Sequence, residues 1–193
     1  AGLLLYLLTL NRWVSLGSLP VVVSISASDW MPPMTGPLTF LVTFPFRWLP
    51  AGWQAVSLNA LAAVLGAVTL GLLARSVALL PHDRTRDERQ REQSEYSLLS
   101  IPAAWVPPLF AALVCGLQLS FWENATAATG EMLDLVLFAY AIRCLLEYRV
   151  GEDDRWLYRL AGAYGLAVTN NYAMIGFFPA FLIALVWIKG KGV

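Results

Sequence analysis

From residue 101 to residue 142 the chain consists of two apolar stretches with one polar knot between them. Residues 101–121 and 135–142 carry no charge. The knot, Phe121-Trp122-Glu123-Asn124-Ala125-Thr126-Ala127-Ala128-Thr129-Gly130-Glu131-Met132-Leu133-Asp134, holds three carboxylates. An uncharged run of about 20 residues is long enough to cross a bilayer as a helix. In hydrocarbon every backbone N–H and C=O has to be satisfied inside the segment, which is why the helix is chosen. The knot is then a short polar turn at one membrane face, where ionisable groups are costly unless they reach water or serve a function. Composition agrees. Only 13% of residues are charged, against about 25% in soluble domains, and the mean hydropathy is +0.61. Eight Trp and seven Tyr suit a chain with many membrane–water boundaries. The formal net charge of zero, with no basic cluster interleaved with aromatics, gives no sign of a nucleic-acid partner.

An all-α, polytopic transmembrane bundle is expected, forming one module over 1–193. The apolar run at 2–10 is too short to span and reads as the outer end of a first helix that begins upstream. The chain as a whole reads as the N-terminal portion of a longer protein. Residues 11–50 are interrupted by Arg12, Asp29 and Arg47 and by six prolines. They read as an outer loop with a short interfacial helix over 38–49. The other possibility, a span from Gly2 to about Ser28, would bury Arg12 near mid-bilayer. Spans are expected at about 52–80, 101–122, 130–148, 155–169 and 172–188. In the first, Ala63, Ala67 and Gly71 recur at every fourth position, a seam for close helix approach. Residues 81–97 form a charged segment whose Arg84/Glu88, Asp87/Arg91 and Arg91/Glu95 spacings support a solvated helix, and His82 needs no other role. Cys115 and Cys144 fall at different membrane depths and read as free thiols. With no CxxC and a single His, no metal site and no cofactor can be argued.

Orientation follows from basic residues. Of 13 Lys and Arg, eleven (Arg75, Arg84, Arg86, Arg89, Arg91, Arg143, Arg149, Arg155, Arg159, Lys189 and Lys191) fall on one side of this alternating topology. Arg12 and Arg47 fall on the other. The basic side is cytoplasmic, so the 11–50 loop, the 121–130 turn and Asn170-Asn171 all face outward.

Each outward polar residue has two readings. Asp29, in a proline-framed loop, is either a general base toward a hydroxyl or a turn residue bonding its own backbone. Glu131 and Asp134, one turn apart at a helix start, either line a pocket or simply complement the helix dipole. Glu123 precedes that helix after an aromatic pair and is placed to shape an acceptor site. Arg12 and Arg47 either grip a phosphate with the guanidinium fork or snorkel to headgroups. Asn170 and Asn171 line the same face or tolerate a tight turn. Asn124-Ala-Thr126 fits the N-glycosylation pattern.

Three stretches carry a family resemblance: the 121–134 knot; Ala-Ile-Arg-Cys-Leu-Leu-Glu-Tyr-Arg at 141–149; and Thr-Asn-Asn-Tyr-Ala-Met-Ile at 169–175. They resemble a bacterial membrane family whose animal relatives are protein O-mannosyltransferases. The resemblance implies a C-type glycosyltransferase fold using a polyprenyl- or dolichyl-phosphate sugar as donor, with no separate cofactor, and a protein or other hydroxyl acceptor. It also implies a bacterial inner-membrane protein whose site faces the periplasm. Such enzymes carry a catalytic acid in the first outer loop, which maps onto Asp29. Here it stands in Asp29-Trp30-Met31-Pro32 where many members have an Asp-Ser-Gly-Glu-like context, and Thr169-Asn170-Asn171 stands where the family has Thr-Asn-His. The reading from another class is a transporter or non-catalytic multispan subunit. Gathering of the acids at one face and the lack of an internal repeat favour the enzyme.

Overall fold

In a computed structural model, residues 2–26, 36–80, 105–151 and 153–190 are described, and among them every regular element is helical. Asp29 and the 81–97 segment lie outside the described residues. The helices are α1 (Gly2–Leu8), α2 (Leu19–Ser26), α3 (Pro37–Thr43), α4 (Ala51–Leu79), α5 (Val106–Leu117), α6 (Leu119–Thr126), α7 (Glu131–Gly151), α8 (Arg155–Asn170) and α9 (Phe178–Gly190). The interfacial helix expected at 38–49 is α3 followed by a 3-10 turn, Phe44–Trp48. Pro45 lacks the N–H that would continue an α-helical ladder. The helix expected to start at 172 likewise opens as a 3-10 turn, Tyr172–Phe177, before α9.

The organising element is α4, 29 residues and about 44 Å long, which packs against α1, α2, α5, α6 and α7. Its inward face is the stripe Leu58, Asn59, Ala62, Ala63, Gly66 and Thr69. A Cβ at Gly66 would meet the Ala125 Cβ at 3.0 Å, so α4 and α6 approach closely here. The small-residue seam is therefore rotated from the expected one. Ala63 is buried in it, but a Cβ on Gly71 would meet open space within 4 Å. Buried hydroxyls on α4 bond back one turn, Thr69 to the Leu65 carbonyl and Ser76 to that of Leu72, each at 2.9 Å.

The span expected over 101–122 is broken. α5 and α6 meet at 72°, with Gln118 extended (ψ 133°) between them. Such a break strands carbonyls that would have accepted from the next turn. The Tyr6 hydroxyl donates to one of them, the Gly116 carbonyl, at 2.8 Å. Tyr6 is 1% exposed and sits edge-on to Trp122, with ring centres 5.6 Å apart. Gly116 has to be glycine: a Cβ there would lie 2.9 Å from both the Tyr6 hydroxyl and a Leu70 methyl.

Among the described residues two helices, Ala51–Leu79 and Tyr172–Lys189, are long and apolar enough to cross a membrane, and the bent α5–α6 pair makes a third if it is counted as one span. The expected spans at 130–148 and 155–169 are the helices α7 and α8. Both carry charge that is met inside the protein. Glu147 on α7 accepts from Arg75 and Arg143 at 3.5 Å each. Arg143 and Arg159 lie over the Trp156 ring at 5.9 and 4.6 Å, and Arg149 over Trp187 at 5.4 Å. The last of these helices is mostly exposed: Phe181 packs inward against Phe138 and Tyr164, while Leu182, Ile183, Val186 and Trp187 are exposed and left to lipid or further protein. Both cysteines are free.

Candidate functional site

The end of the bundle opposite Glu147 holds an open cavity of about 440 Å³, within the size range of pockets that enclose small molecules. It lies between α2, α3, the N-terminus of α7 and the C-terminus of α8, and its lining includes Ser24, Thr39, Glu131, Asp134, Asn171 and Tyr172. Glu131 and Glu147 are 16 positions apart on α7, so about 24 Å of helix separates this cavity from the basic end. The cavity end thus carries the outward-assigned polar residues.

Asp134 is 6% exposed and fixed by two amides. Asn170 Nδ2 donates to its Oδ1 at 2.5 Å and Asn171 Nδ2 to its Oδ2 at 2.9 Å. Asn170 is held in turn by Thr39. Its Oδ1 accepts from the Thr39 N–H at 2.9 Å, and its Nδ2 donates to Thr39 Oγ1 at 3.0 Å. The remaining face of the Asn171 amide is anchored by the Ala173 N–H, which donates to Oδ1 at 3.0 Å. α3, α7 and the end of α8 are thereby tied by one hydrogen-bonded chain, Thr39–Asn170–Asp134–Asn171. A carboxylate buried this far is tolerated because each oxygen meets a donor.

Both glycines with left-handed backbone among the described residues flank this chain. Gly36 (φ +80°) is the N-cap of α3 and Gly130 (φ +88°) precedes α7. Side chains at either would be strained by the backbone. A Cβ on each would also come within 3.5–3.6 Å of Thr39.

Behind the cavity, Asn59 is a second knot. Buried to 1% exposure, its Nδ2 donates to the Asn11 carbonyl at 2.6 Å, and its Oδ1 accepts from the Ala128 N–H at 2.9 Å. It fixes the loop after α1 and the turn between α6 and α7 to α4. Asn124 closes that turn from the other side, accepting from the Thr129 hydroxyl at 2.6 Å and donating to the Ser120 carbonyl at 2.8 Å. With Asn124 so engaged and Thr126 only 8% exposed inside α6, the glycosylation pattern lies in folded helix, not in an open loop.

Of the residues singled out in the sequence, Glu131, Asp134, Asn170 and Asn171 meet at the cavity. Asp134 and Asn170 are buried and Glu131 is exposed. Glu123 is exposed on α6 and does not line it. Arg12, exposed after α1, and Arg47, half-buried in the 3-10 turn, do not line it either. Asp29 lies outside the described residues, but Ser24 and Gly36, on either side of its segment, both line the cavity. Thr39, Gly36, Gly130 and Asn59 were not singled out as site residues by the sequence. For Asn59 the signal was present: it is the one amide in the uncharged run 55–74, and a polar group in a span demands a partner. Among the described residues no three His, Cys, Asp or Glu side chains are grouped as metal ligands.

Residues 32–192 match the family described as the N-terminal domain of protein O-mannosyl-transferase TMEM260. The chain belongs to that family. No curated protein and no solved structure matches it. The TMEM260 N-terminal domain match runs from just before α3 to the end of α9. It includes the Thr39–Asn170–Asp134–Asn171 chain, while α1, α2, Arg12 and Asp29 precede it. The resemblance to protein O-mannosyltransferases carried by the 121–134, 141–149 and 169–175 stretches therefore holds.

Proposed function

We propose that this chain is the membrane module of a glycosyltransferase that moves a sugar, mannose by family, from a polyprenyl-phosphate carrier to a hydroxyl of a protein or other acceptor. The observation that carries the reading is the cavity holding a fixed, buried Asp134 at the end away from the basic belt, in a chain of the TMEM260 N-terminal domain family. In this reading the fold is of the C-type glycosyltransferase kind, and the cavity faces the periplasm from a bacterial inner membrane. Asp29 takes the proton from the acceptor hydroxyl. The hydroxyl oxygen forms a bond to the sugar C1 as the bond from C1 to the phosphate oxygen breaks, releasing polyprenyl phosphate. Arg47, with Arg12 as the other outward cation, neutralises that phosphate, and Glu123 shapes the acceptor side. The first of these roles draws support from the family resemblance. The second draws support from the scarcity of outward basic residues.

The test is transfer by the full-length protein reconstituted in vesicles with radiolabelled polyprenyl-phosphate mannose and a Ser/Thr-rich acceptor peptide. Label should move to the acceptor and polyprenyl phosphate should appear in equal amount. Transfer from a nucleotide sugar in the absence of any lipid carrier, with none from the lipid-linked donor, would sink the reading.

A further inference from the structure

The cavity has a charge character that the proposed donor phosphate does not match. Among the described residues that line it, the carboxylates are Glu131 and Asp134, and there is no Lys, Arg or His. A phosphodiester brought beside two carboxylates would be repelled by each, and in a partly buried site that repulsion is several-fold stronger than in water. What such a cavity suits is a neutral molecule rich in hydroxyls. Each hydroxyl needs one acceptor for its hydrogen and can itself accept on two lone pairs.

The hydrogen-bond inventory shows which groups are left to serve it. Asn170 has no spare capacity, since both of its amide hydrogens and its oxygen are taken by Asp134 and Thr39. Asp134 has accepted one hydrogen on each oxygen, and an ionised carboxylate has about four lone-pair sites. One acceptor site therefore remains on each oxygen. Asn171 has given one amide hydrogen to Asp134 and keeps a second. Side by side, these make an edge with two acceptors and one donor, fixed before any ligand arrives. Tyr172, next in the chain and 68% exposed, lines the same cavity. Its ring offers an apolar flat face to the C–H side of a pyranose.

We infer that the Asp134–Asn171 edge is the subsite that holds the hydroxyls of the donor sugar, with Tyr172 against its ring and the phosphate kept outside the cavity. This rests on the glycosyltransferase reading above. Asp134 Oδ1 and Oδ2 each accept one of two neighbouring sugar hydroxyls, while the free Asn171 N–H donates to a hydroxyl oxygen. Asn170 acts through Asp134 as a positioning residue, since rigid placement of the carboxylate is what spares the ligand an ordering cost.

The experiment compares binding of polyprenyl-phosphate mannose with binding of bare polyprenyl phosphate, using the full-length protein in nanodiscs and its tryptophan fluorescence. The ratio of the two affinities is the contribution of the sugar. In the native protein the sugar-bearing lipid should bind more tightly. In Asn171→Ala and Asp134→Asn the ratio should collapse about ten- to hundredfold, with affinity for the bare lipid unchanged. Asn171→Ala leaves Asp134 held by Asn170 and decides the matter if Asp134→Asn does not fold. A ratio preserved in folded variants overturns the subsite and leaves the glycosyltransferase reading standing, as does equal weakening of both lipids. A native protein that does not favour the sugar-bearing lipid, and that transfers no sugar, removes both.

Discussion

Replacing Asn59 by Leu is the most direct probe of how the site is built. The side chain is 1% exposed on α4 and satisfies two backbone groups that belong to other segments: the Asn11 carbonyl at 2.6 Å and the Ala128 N–H at 2.9 Å. Leucine keeps the number and branching of heavy atoms, with somewhat greater bulk, and gains apolar character, but it leaves both groups without partners. Each unsatisfied buried group costs about 1–3 kcal/mol. Side-chain hydrogen bonds in membrane proteins average only about 0.6 kcal/mol and reach about 1.7, because the unfolded chain in the membrane also finds partners. Two backbone groups stranded together should then cost about 2–3 kcal/mol. Thermal or SDS unfolding of the full-length protein in detergent measures this. Asn11→Ala is the control. The Asn11 side chain only accepts from the Trp13 N–H at 3.1 Å on the surface, and its carbonyl survives the change, so its effect should stay within about 0.5 kcal/mol. Sugar transfer should fall with Asn59→Leu too, since the Ala128 bond precedes Thr129 and Gly130 at the cavity by one and two residues. Equal stabilities for Asn59→Leu and the native protein would refute the reasoning.

Four other outcomes are expected. Gly130→Ala forces a side chain onto φ +88° and should cost about 1–2 kcal/mol, read as a lowered Tm; an unchanged Tm would remove the left-handed turn. Cysteines at Glu123 and at Asp153, both exposed and at opposite ends, should differ toward a membrane-impermeant thiol reagent on intact cells. Only Glu123→Cys should react, and reaction at Asp153→Cys would reverse the orientation. Asp29→Asn should abolish transfer with unchanged unfolding, because the amide keeps size and hydrogen bonding but not basicity; transfer at the native rate would reduce Asp29 to a turn residue. Arg47→Lys keeps charge but loses the fork, so it should raise the donor KM more than Arg12→Lys does, and a donor KM unmoved by either would place the phosphate elsewhere.

The helices themselves were legible because their signal is local. Uncharged runs of sufficient length have no other way to satisfy their backbone in lipid, and acids and amides gathered at one end follow from where those runs stop. Which face of each helix turns inward was less legible. On α4 two stripes of small residues compete: Ala63, Ala67 and Gly71, and, one position back along the turn, Ala62 and Gly66. Spacing cannot choose between them. Asn59 narrows the choice: at about 100° per residue it lies about 40° from the middle of the Ala62/Gly66 stripe and about 80° from the middle of the other, and it cannot face lipid without leaving an amide unsatisfied. The break at Gln118 left no such mark, since no proline stands there. What satisfies it is distant: Tyr6 arrives from α1, 110 positions away from Gly116, to donate to the freed carbonyl. Glu131 and Asp134 looked equivalent as dipole-complementing acids at a helix start. They differ because Asn170 and Asn171 reach Asp134 from α8, 36 and 37 positions along the chain.

The same long-range contacts bear on where chemistry would occur. Asp134 is buried under two amides, and hydrogen bonds of this kind hold a carboxylate in place as an acceptor. A residue fixed in that way is suited to recognising a ligand and ill-suited to collecting a proton, which needs a base free to approach the acceptor oxygen. In the proposed reaction the proton therefore goes to another carboxylate, and Glu131, exposed at the first turn of α7, has no hydrogen-bond or ion-pair partner among the described residues. If the sugar is held at the Asp134–Asn171 edge and the phosphate is excluded by the same carboxylates, the bond from C1 to phosphate oxygen has to cross the cavity mouth. Ser24 and Gly36 border that cavity, and the segment joining their helices carries Asp29. This division of labour makes the Asp29→Asn and Asn171→Ala variants separable: the first should remove kcat and keep sugar-dependent donor binding, and the second should weaken that binding while retaining the base. If both variants lost donor binding alike, one residue would not be recognising the sugar while the other activates the acceptor.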